Sequence, residues 1–433
     1  MARLTNKRVA IVSAVDPYPV DAGKKVVLAG VIDYLIDRFG ADNVHYVLLG
    51  SGDNATFPVH LHEVPLPGRK AVLGSLASRT LTGRASLQES FLYSRRTRRA
   101  IEQVMAEIGP DVEIYDTIRM AQYVRRPKPH QVCYLDDLFS ERYAAMLDAA
   151  KRHAGVEIRP LGNFAAHIPA SIRPLADRPR FQRGLLRAER RLVASSENRV
   201  ARRFERSVLV NAREAGVLQK RSGAPASHVG AISPLVPDRV TPRRFTGAPV
   251  FVFLGLLSLP HNDDGIKNFL AQTWPVVLER EPNAKLRIIG KEPGEALTSL
   301  VAGFPDSVAL EGYVPDLGEA LGTAVAMLNT LRFGSGIKLK VIEALRAGLP
   351  VVSTAIGSDG IAVGAEFGIV GAEDPAAIAT AMLELCDVER NREVSAAARR
   401  HYVETYSREA VFAQYDKQLL PPGIALGVSS NRP

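Results

Sequence analysis

Between Ala324 and Thr354 the sequence reads as a buried strand ending near Asn329, then Arg332, the bend Gly334-Ser335-Gly336, and a helix beginning around Ile337. Glycines let backbone N–H groups approach a ligand closely, and a helix N-terminus presents the positive end of its dipole. Lys338 is expected in the first helical turn, where that dipole disfavours a cation unless an anion is bound. Arg332, Lys338 and the N–H groups of Gly334, Ser335, Gly336 and Ile337 thus form a candidate cradle for a diphosphate. The competing reading is a plain strand-to-helix turn with two solvated cations. Glu343 lies among Val341, Ile342, Ala344 and Leu345, and an ionised carboxylate in such surroundings is costly unless paired. A ligand diol would satisfy it, and so would a local ion pair with Lys340 or Lys338.

Other nucleotide motifs fail on single positions. A dinucleotide fingerprint needs glycine where Leu339 stands, and a phosphate loop ending at Gly23-Lys24 needs glycine where Tyr18 stands. The adjacent carboxylates Asp136-Asp137 and Asp263-Asp264 read as turns or caps rather than as a metal site, and no metal is expected. His60-Leu61-His62 reads as strand alternation. Asp116 and Arg119 follow a strand and are weaker candidates for contact with a substrate, against an ordinary polar strand end.

The elements that would position these residues alternate between short β-branched runs and helical periods. Strands are expected at Val9–Val12, Val44–Leu49, Val112–Tyr115, Gln131–Leu135 and Ser207–Asn211, with helices at Lys25–Phe39, Glu89–Ile108 and from about Arg213. Five prolines between 224 and 249 suggest an interdomain linker. A second block follows, with strands at Val250–Leu254, Lys285–Ile289, Val308–Leu310, Ala324–Leu328 and Leu349–Ser353. Its helices are expected at Gly265–Glu279, Ile337–Ala347 and Pro375–Val388. This is the pattern of two α/β halves, each a Rossmann-like, doubly wound parallel sheet. The expected domains are 1–235, 236–410 and a C-terminal segment 411–433 that frays after about 421.

Composition agrees with a folded enzyme-sized chain. Of 433 residues, 46% are apolar and 23% charged, and no apolar run is long enough to span a bilayer. Two distant cysteines exclude a disulfide framework and fit a reducing cytoplasm, and the short apolar run after the N-terminus does not read as a secretory signal. The net charge of +9 is concentrated: residues 151–206 hold 14 basic and five acidic side chains. Phe181, Leu185, Leu186, Leu192, Val193, Val200 and Phe204 recur there at near-helical spacing among arginines. Such a segment could face an anionic membrane surface, or its apolar stripe could pack on its own domain. Few aromatic residues accompany it, so nucleic acid is not an expected partner.

The segment Gly334-Ser335-Gly336-Ile337-Lys338-Leu339-Lys340-Val341-Ile342-Glu343-Ala344-Leu345, followed by Ala347-Gly348-Leu349-Pro350-Val351-Val352, resembles the nucleotide-sugar site of retaining glycosyltransferases of the GT-B fold. The resemblance is to the family 4 group that builds bacterial exopolysaccharides and other glycoconjugates. Phe253-Leu254-Gly255 with Pro260-His261-Asn262-Asp263-Asp264-Gly265, Lys285–Gly290, and Gly312-Tyr313-Val314-Pro315-Asp316 match in the family's order, over about residues 250–362. Asp16-Pro17-Tyr18-Pro19 with Gly23, the stretch Asp116–Tyr123, and Leu135-Asp136-Asp137-Leu138 match more loosely. Three positions depart from the family pattern. Ser335 stands where many members have the first of two glutamates, Leu256 follows the strand glycine in place of arginine, and Asp116 replaces a frequent histidine.

The resemblance implies two domains facing a cleft and transfer of a sugar from a nucleotide diphosphate sugar to an acceptor hydroxyl. It further implies retention at the anomeric carbon and no metal or other cofactor. Gly23, Gly255, Asn262, Val314, Gly334, Ser335, Gly336, Ile337 and Glu343 would contact the nucleotide sugar, with Glu343 on the ribose. Arg332 and Lys338 would stabilise the leaving diphosphate, and Asp116 and Arg119 would lie near the sugar or acceptor. The acceptor would be a saccharide or a lipid-linked glycan. The protein would be cytoplasmic, peripheral at the inner face of the membrane through residues 151–206. A non-catalytic nucleotide-sugar-binding module and a sugar-nucleotide epimerase are the alternatives on the same fold.

Overall fold

The computed structural model describes residues 4–52, 57–152, 179–237, 243–421 and 424. The chain divides into two compact units. One comprises Met1–Lys151, Ile158–Leu235 and Val411–Pro433, and the other is built on Val236–Ala410.

The first unit holds a seven-stranded sheet in the order β3-β2-β1-β4-β5-β6-β7. Its strands are β1 (Val9–Ser13), β2 (Val44–Leu49), β3 (His60–Val64), β4 (Val112–Asp116), β5 (Gln131–Asp136), β6 (Ser207–Leu209) and β7 (Val229–Ala231). Each neighbouring pair is parallel, and β1 lies between β2 and β4, with Val9 opposite both Val44 and Val112. Every residue of β1 and β4 is buried, as expected for strands covered by helices on both faces. The first helix, Gly23–Phe39, docks against the last, Arg408–Leu419. Arg38 is 1% exposed and grips Asp416 with Nε at 2.8 Å and a terminal nitrogen at 2.9 Å, and the Tyr34 hydroxyl donates to the same carboxylate.

The second unit holds six parallel strands in the order β10-β9-β8-β11-β12-β13. These are β8 (Val250–Leu254), β9 (Lys285–Ile289), β10 (Val308–Gly312), β11 (Ala326–Asn329), β12 (Val351–Ser353) and β13 (Ile369–Gly371). Strand alternation sends Phe251 and Phe253 into one layer with Phe269, Trp274 and Met382, and sends Val252 and Leu254 into the other with Val341, Ile342 and Tyr402. Truncating one of these buried phenylalanines to alanine would cost about 3–5 kcal/mol.

Several boundaries differ from the sequence reading. The proline-rich 224–249 segment contains β7, an edge strand that completes the first sheet. The long helix expected over 89–108 is two, Leu87–Phe91 and Arg95–Ile108. Ser86 and Ser94 each accept a backbone N–H as N-caps, and Ser94 starts the second helix. The helix expected over 265–279 is also two, Pro260–Gln272 and Trp274–Arg280. In the basic segment, residues 153–178 lie outside the described residues. The helix Pro179–Arg203 buries Leu186, Val193 and Val200, with Phe204 beyond its end, against its own unit. Residues 422, 423 and 425–433 of the tail also lie outside the described residues.

Candidate functional site

In an open parallel sheet, ligands bind beyond the carboxyl ends of the strands, where the strand order reverses. The second sheet reverses between β8 and β11. Beyond β8 the backbone turns tightly. A Cβ on Gly255 would come within 2.8 Å of the Asn262 side chain, and one on Gly290 would lie 1.8 Å from the Gly255 carbonyl oxygen. Asn262, buried in the first turn of Pro260–Gln272, donates to the Leu256 carbonyl at 3.0 Å and accepts from Lys340 Nζ at 3.1 Å. Lys340 Nζ also donates to the Leu254 carbonyl at 2.8 Å and lies 4.7 Å from the centre of the Phe253 ring. Burial, with a smaller push from Lys338, lowers the Lys340 pKa to about 7. Lys340 thus ties the helix Leu339–Arg346 to the loop after β8 through neutral oxygens alone.

Beyond β11, Arg332 makes a two-point ion pair with Asp264, at 2.8 and 2.5 Å. Gly334 and Gly336 have φ of +141° and +71°, in the region glycine tolerates best. Lys338 is the N-cap of the helix Leu339–Arg346 rather than a residue of its first turn. It is 8% exposed, and its Nζ donates to the carbonyls of Ser335 at 3.0 Å and Gly336 at 2.6 Å. The lysine therefore laces the bend from within. No acidic residue occupies the first turn of that helix and no side chain caps it; the Val341 N–H turns back to the Lys338 carbonyl at 2.9 Å, which leaves the Leu339 and Lys340 N–H groups to face an anion. The Oδ1 of Asn329 and the Oγ1 of Thr330, at the start of the bend, are buried without a hydrogen-bond partner.

Glu343 is half-buried, and burial raises its pKa against the pull of Arg346. Lys338 and Lys340 direct their ammonium groups to the oxygens named above, so the expected local ion pair is absent among the described residues. Val314 and Ile337 pack, partly buried, against the core that contains Val341 and Ile342. The Asp263-Asp264 pair is not a turn: Asp263 pairs with Lys267 at 2.5 Å and Asp264 with Arg332. Gly255, Asn262, Val314, Arg332, the bend and Glu343 thus belong to one edge of one unit.

The first sheet reverses between β1 and β4. There Asp116 is 2% exposed, with Oδ2 accepting from Ser13 Oγ at 2.7 Å and Oδ1 accepting from Lys24 Nζ at 2.6 Å. Lys24 also lies 3.4 Å from Asp136 and 4.4 Å from the centre of the Tyr134 ring, and the Tyr134 hydroxyl donates to Asp136 at 2.6 Å. Asp137, in the bend that follows β5, pairs with Arg142. Thr117 and Asp136 hold φ of +66° and +69°, a strained conformation for residues with side chains. Arg119 Nε donates to Thr117 Oγ1 at 3.0 Å, and its guanidinium lies 5.5 Å from the centre of the Phe139 ring. Gly23 opens the first helix and is exposed. Lys24 was invisible as a site residue in the sequence, because its partners lie far along the chain. The only local sign was a cation in the first turn of a helix with no acidic residue there.

Residues 248–387 match the sequence family described as glycosyl transferases group 1. This segment is a group 1 glycosyltransferase domain. An uncharacterised protein of the cps region of Klebsiella pneumoniae is 27% identical over 176 residues, covering 39% of this chain and 45% of its own length. The chain thus matches less than half of that curated relative. TarM superposes with a TM-score of 0.62 at 10% identity, over 96% of this chain and 99% of its own. Sucrose-phosphate synthase from Thermosynechococcus elongatus gives 0.62 at 13%, over 95% and 98%. HepE from Anabaena, solved with UDP-glucose, gives 0.56 at 13%, over 95% and 99%. At these identities the likeness shows the fold, which is GT-B. The bend, Lys338, Lys340 and Glu343 all lie inside the glycosyltransferase domain.

Proposed function

We propose that the protein transfers a sugar from a nucleotide diphosphate sugar to a hydroxyl of a saccharide or lipid-linked glycan, with retention of anomeric configuration and without a metal. The observation that carries the reading is the glycine bend at the strand-order reversal of a group 1 glycosyltransferase domain, open at its N–H groups and laced by a lysine. HepE has been solved with UDP and with UDP-glucose, which supports a sugar linked to a nucleoside diphosphate here. The relative in a cps region supports a product that is part of a surface polysaccharide.

In the reaction, the bond from the anomeric carbon to the diphosphate oxygen breaks and its electron pair leaves with the diphosphate. A new bond forms from the acceptor oxygen to the same carbon, and the acceptor proton passes to the departing phosphate oxygen. The helix N-terminus, Lys338 and Arg332 stabilise the charge that grows on the diphosphate. Asp264 holds Arg332 in a fixed orientation until the diphosphate competes for it. Glu343, lacking an ion-pair partner among the described residues, accepts the ribose hydroxyls. Gly255 and Asn262 form the floor, and Val314 and Ile337 the apolar wall. Arg119 and Asp116, the latter through Lys24, are the first unit's candidates for hydroxyl contacts, with Gly23 at the start of the helix that carries Lys24. The reaction belongs to the cytoplasm, where nucleotide sugars are made; no helix among the described residues is long and apolar enough to cross a membrane.

A thermal-shift screen of nucleotide sugars, followed by product analysis with an acceptor panel, tests this. One nucleotide sugar should raise the melting temperature by mass action, and product should require an acceptor. Binding without turnover across the panel would make the protein a binding module, and product without acceptor would make it an epimerase.

A further inference from the structure

Between Val64 and Gln88 the chain carries Arg69, Lys70, Arg79 and Arg84 and no acidic residue. Here the helix Arg69–Ser75 runs into a widened π-helical turn, Leu76–Thr80. Such turns are rare and concentrate at functional places. Leu66, Leu73 and Leu81 stand 55%, 63% and 85% exposed and are the most exposed leucines among the described residues. Leu66 also lines a cavity of 590 Å³, with Tyr93, Ser75, Arg79, Arg95 and Arg96 among others. Its walls stand clear, since a Cβ added at Gly68 or Gly74 would meet nothing within 4 Å.

Three features of this cavity call for an anion. Ser75 is 5% exposed, and its Oγ has no hydrogen-bond partner. Arg79 stacks 3.9 Å from the centre of the Tyr93 ring and donates to Gln122 at 2.8 Å. No carboxylate lies at ion-pair distance from it among the described residues, and burial lowers its pKa. Arg95 and Arg96 are exposed at the start of the helix Arg95–Ile108, where the dipole disfavours cations and no acidic residue offsets them. Cations around an unsatisfied hydroxyl, with Leu66 in the lining and bare Leu73 and Leu81 on the same segment, match a ligand that is a phosphate at one end and hydrocarbon at the other.

We propose that this cavity seats the phosphate headgroup of an anionic membrane lipid while Leu66, Leu73 and Leu81 enter the acyl boundary. The surface lies wholly within residues 64–96, not in the arginine-rich 151–206 segment, whose described helix buries Leu186, Val193 and Val200 and leaves Phe181 40% exposed. The inference stands independently of sugar transfer, since it rests on residues outside both strand-order reversals.

Flotation of the full chain with vesicles of phosphatidylcholine alone, or mixed with phosphatidylglycerol, tests it. Wild type should float with the anionic vesicles and much less with the neutral ones. Arg95→Glu with Arg96→Glu should lower the partition coefficient at least about thirtyfold, at roughly fivefold per lost basic charge. Leu73→Ser with Leu81→Ser should abolish the binding that survives in high salt, where screening leaves only apolar insertion. Gly74→Gln, which fills the cavity without changing charge or breaking the helix, should remove the preference for phosphatidylglycerol. Arg190→Glu with Arg191→Glu, exposed on the helix Pro179–Arg203, should bind as wild type. All these positions are solvent-facing or border open space, and circular dichroism will verify folding. Equal flotation with both vesicle types, unaltered binding by both surface pairs, or loss only in the Arg190/Arg191 variant would overturn the proposal.

Discussion

The two units share one topology and fill its reversal point with opposite charge. In the first, Asp116 and Asp136 occupy the strand ends, and a single lysine from the following helix holds them. In the second, Lys338 and Lys340 gather under the bend and donate to carbonyl and amide oxygens, and Asp264 is engaged by Arg332. A parallel sheet fixes where a ligand can sit, and side chains at a few strand ends decide which ligand. A cationic edge suits a diphosphate, and a carboxylate edge suits hydroxyls.

The largest expected effect breaks the acidic edge. Asp116→Ala leaves Lys24 and Ser13 without their main acceptor and should destabilise the protein by about 3 kcal/mol, at the low end for a buried pair because Lys24 keeps some contact with water. Urea denaturation will read this, and Lys24→Met combined with Asp116→Leu should recover part of the loss. Next is the cationic edge: Lys338→Ala should weaken binding of the nucleotide sugar by roughly 1–3 kcal/mol, read by calorimetry. Unchanged affinity in a stably folded variant would remove Lys338 from the cradle.

A third comparison is one of pH slopes. Lys340 has a pKa of about 7 when folded and 10.5 in its ordinary state. The unfolded chain binds the extra proton between those values, so stability rises with pH from about 7 to 10.5, and Lys340→Met should flatten that rise. Glu189, buried in the first unit, accepts the Leu87 and Gln88 N–H groups, yet burial raises its pKa to about 7. Here the folded chain binds the extra proton, so stability falls as pH rises from 4.5 to about 7, and Glu189→Gln should flatten that fall. Denaturation at a series of pH values separates the two. The smallest effect is at Thr117, where glycine should relieve the left-handed backbone and add up to about 1 kcal/mol, after the entropy it costs.

Much of this was legible in the residue order. The β-branched runs marked the central strands, and the glycine bend with its two cations marked the edge of the second sheet, because both are local patterns. Edge strands were harder. β7 and β13 are three residues each, too short for a period, and β7 lay among prolines. The breaks at Tyr93 and Thr273 interrupt helical periods that continue on either side. Pairings across the chain left little local trace: Lys24 with Asp116 spans 92 residues, and Arg332 with Asp264 spans 68. The sequence therefore read Arg332 and Lys338 as solvated or ligand-bound, while the fold uses both internally. The burial of Leu186, Val193 and Val200 of the Pro179–Arg203 stripe was left open by periodicity, which gives a face but not what covers it.

The return of Arg408–Leu419 to the first unit bears on how the chain is made. Arg38 emerges from the ribosome long before Asp416, the carboxylate that neutralises it in the folded state. The strands of both units, the last of them ending at Gly371, are translated before that helix. Both sheets can therefore form first, while the first helix stays unsealed, its guanidinium still hydrated, until Asp416 has been read.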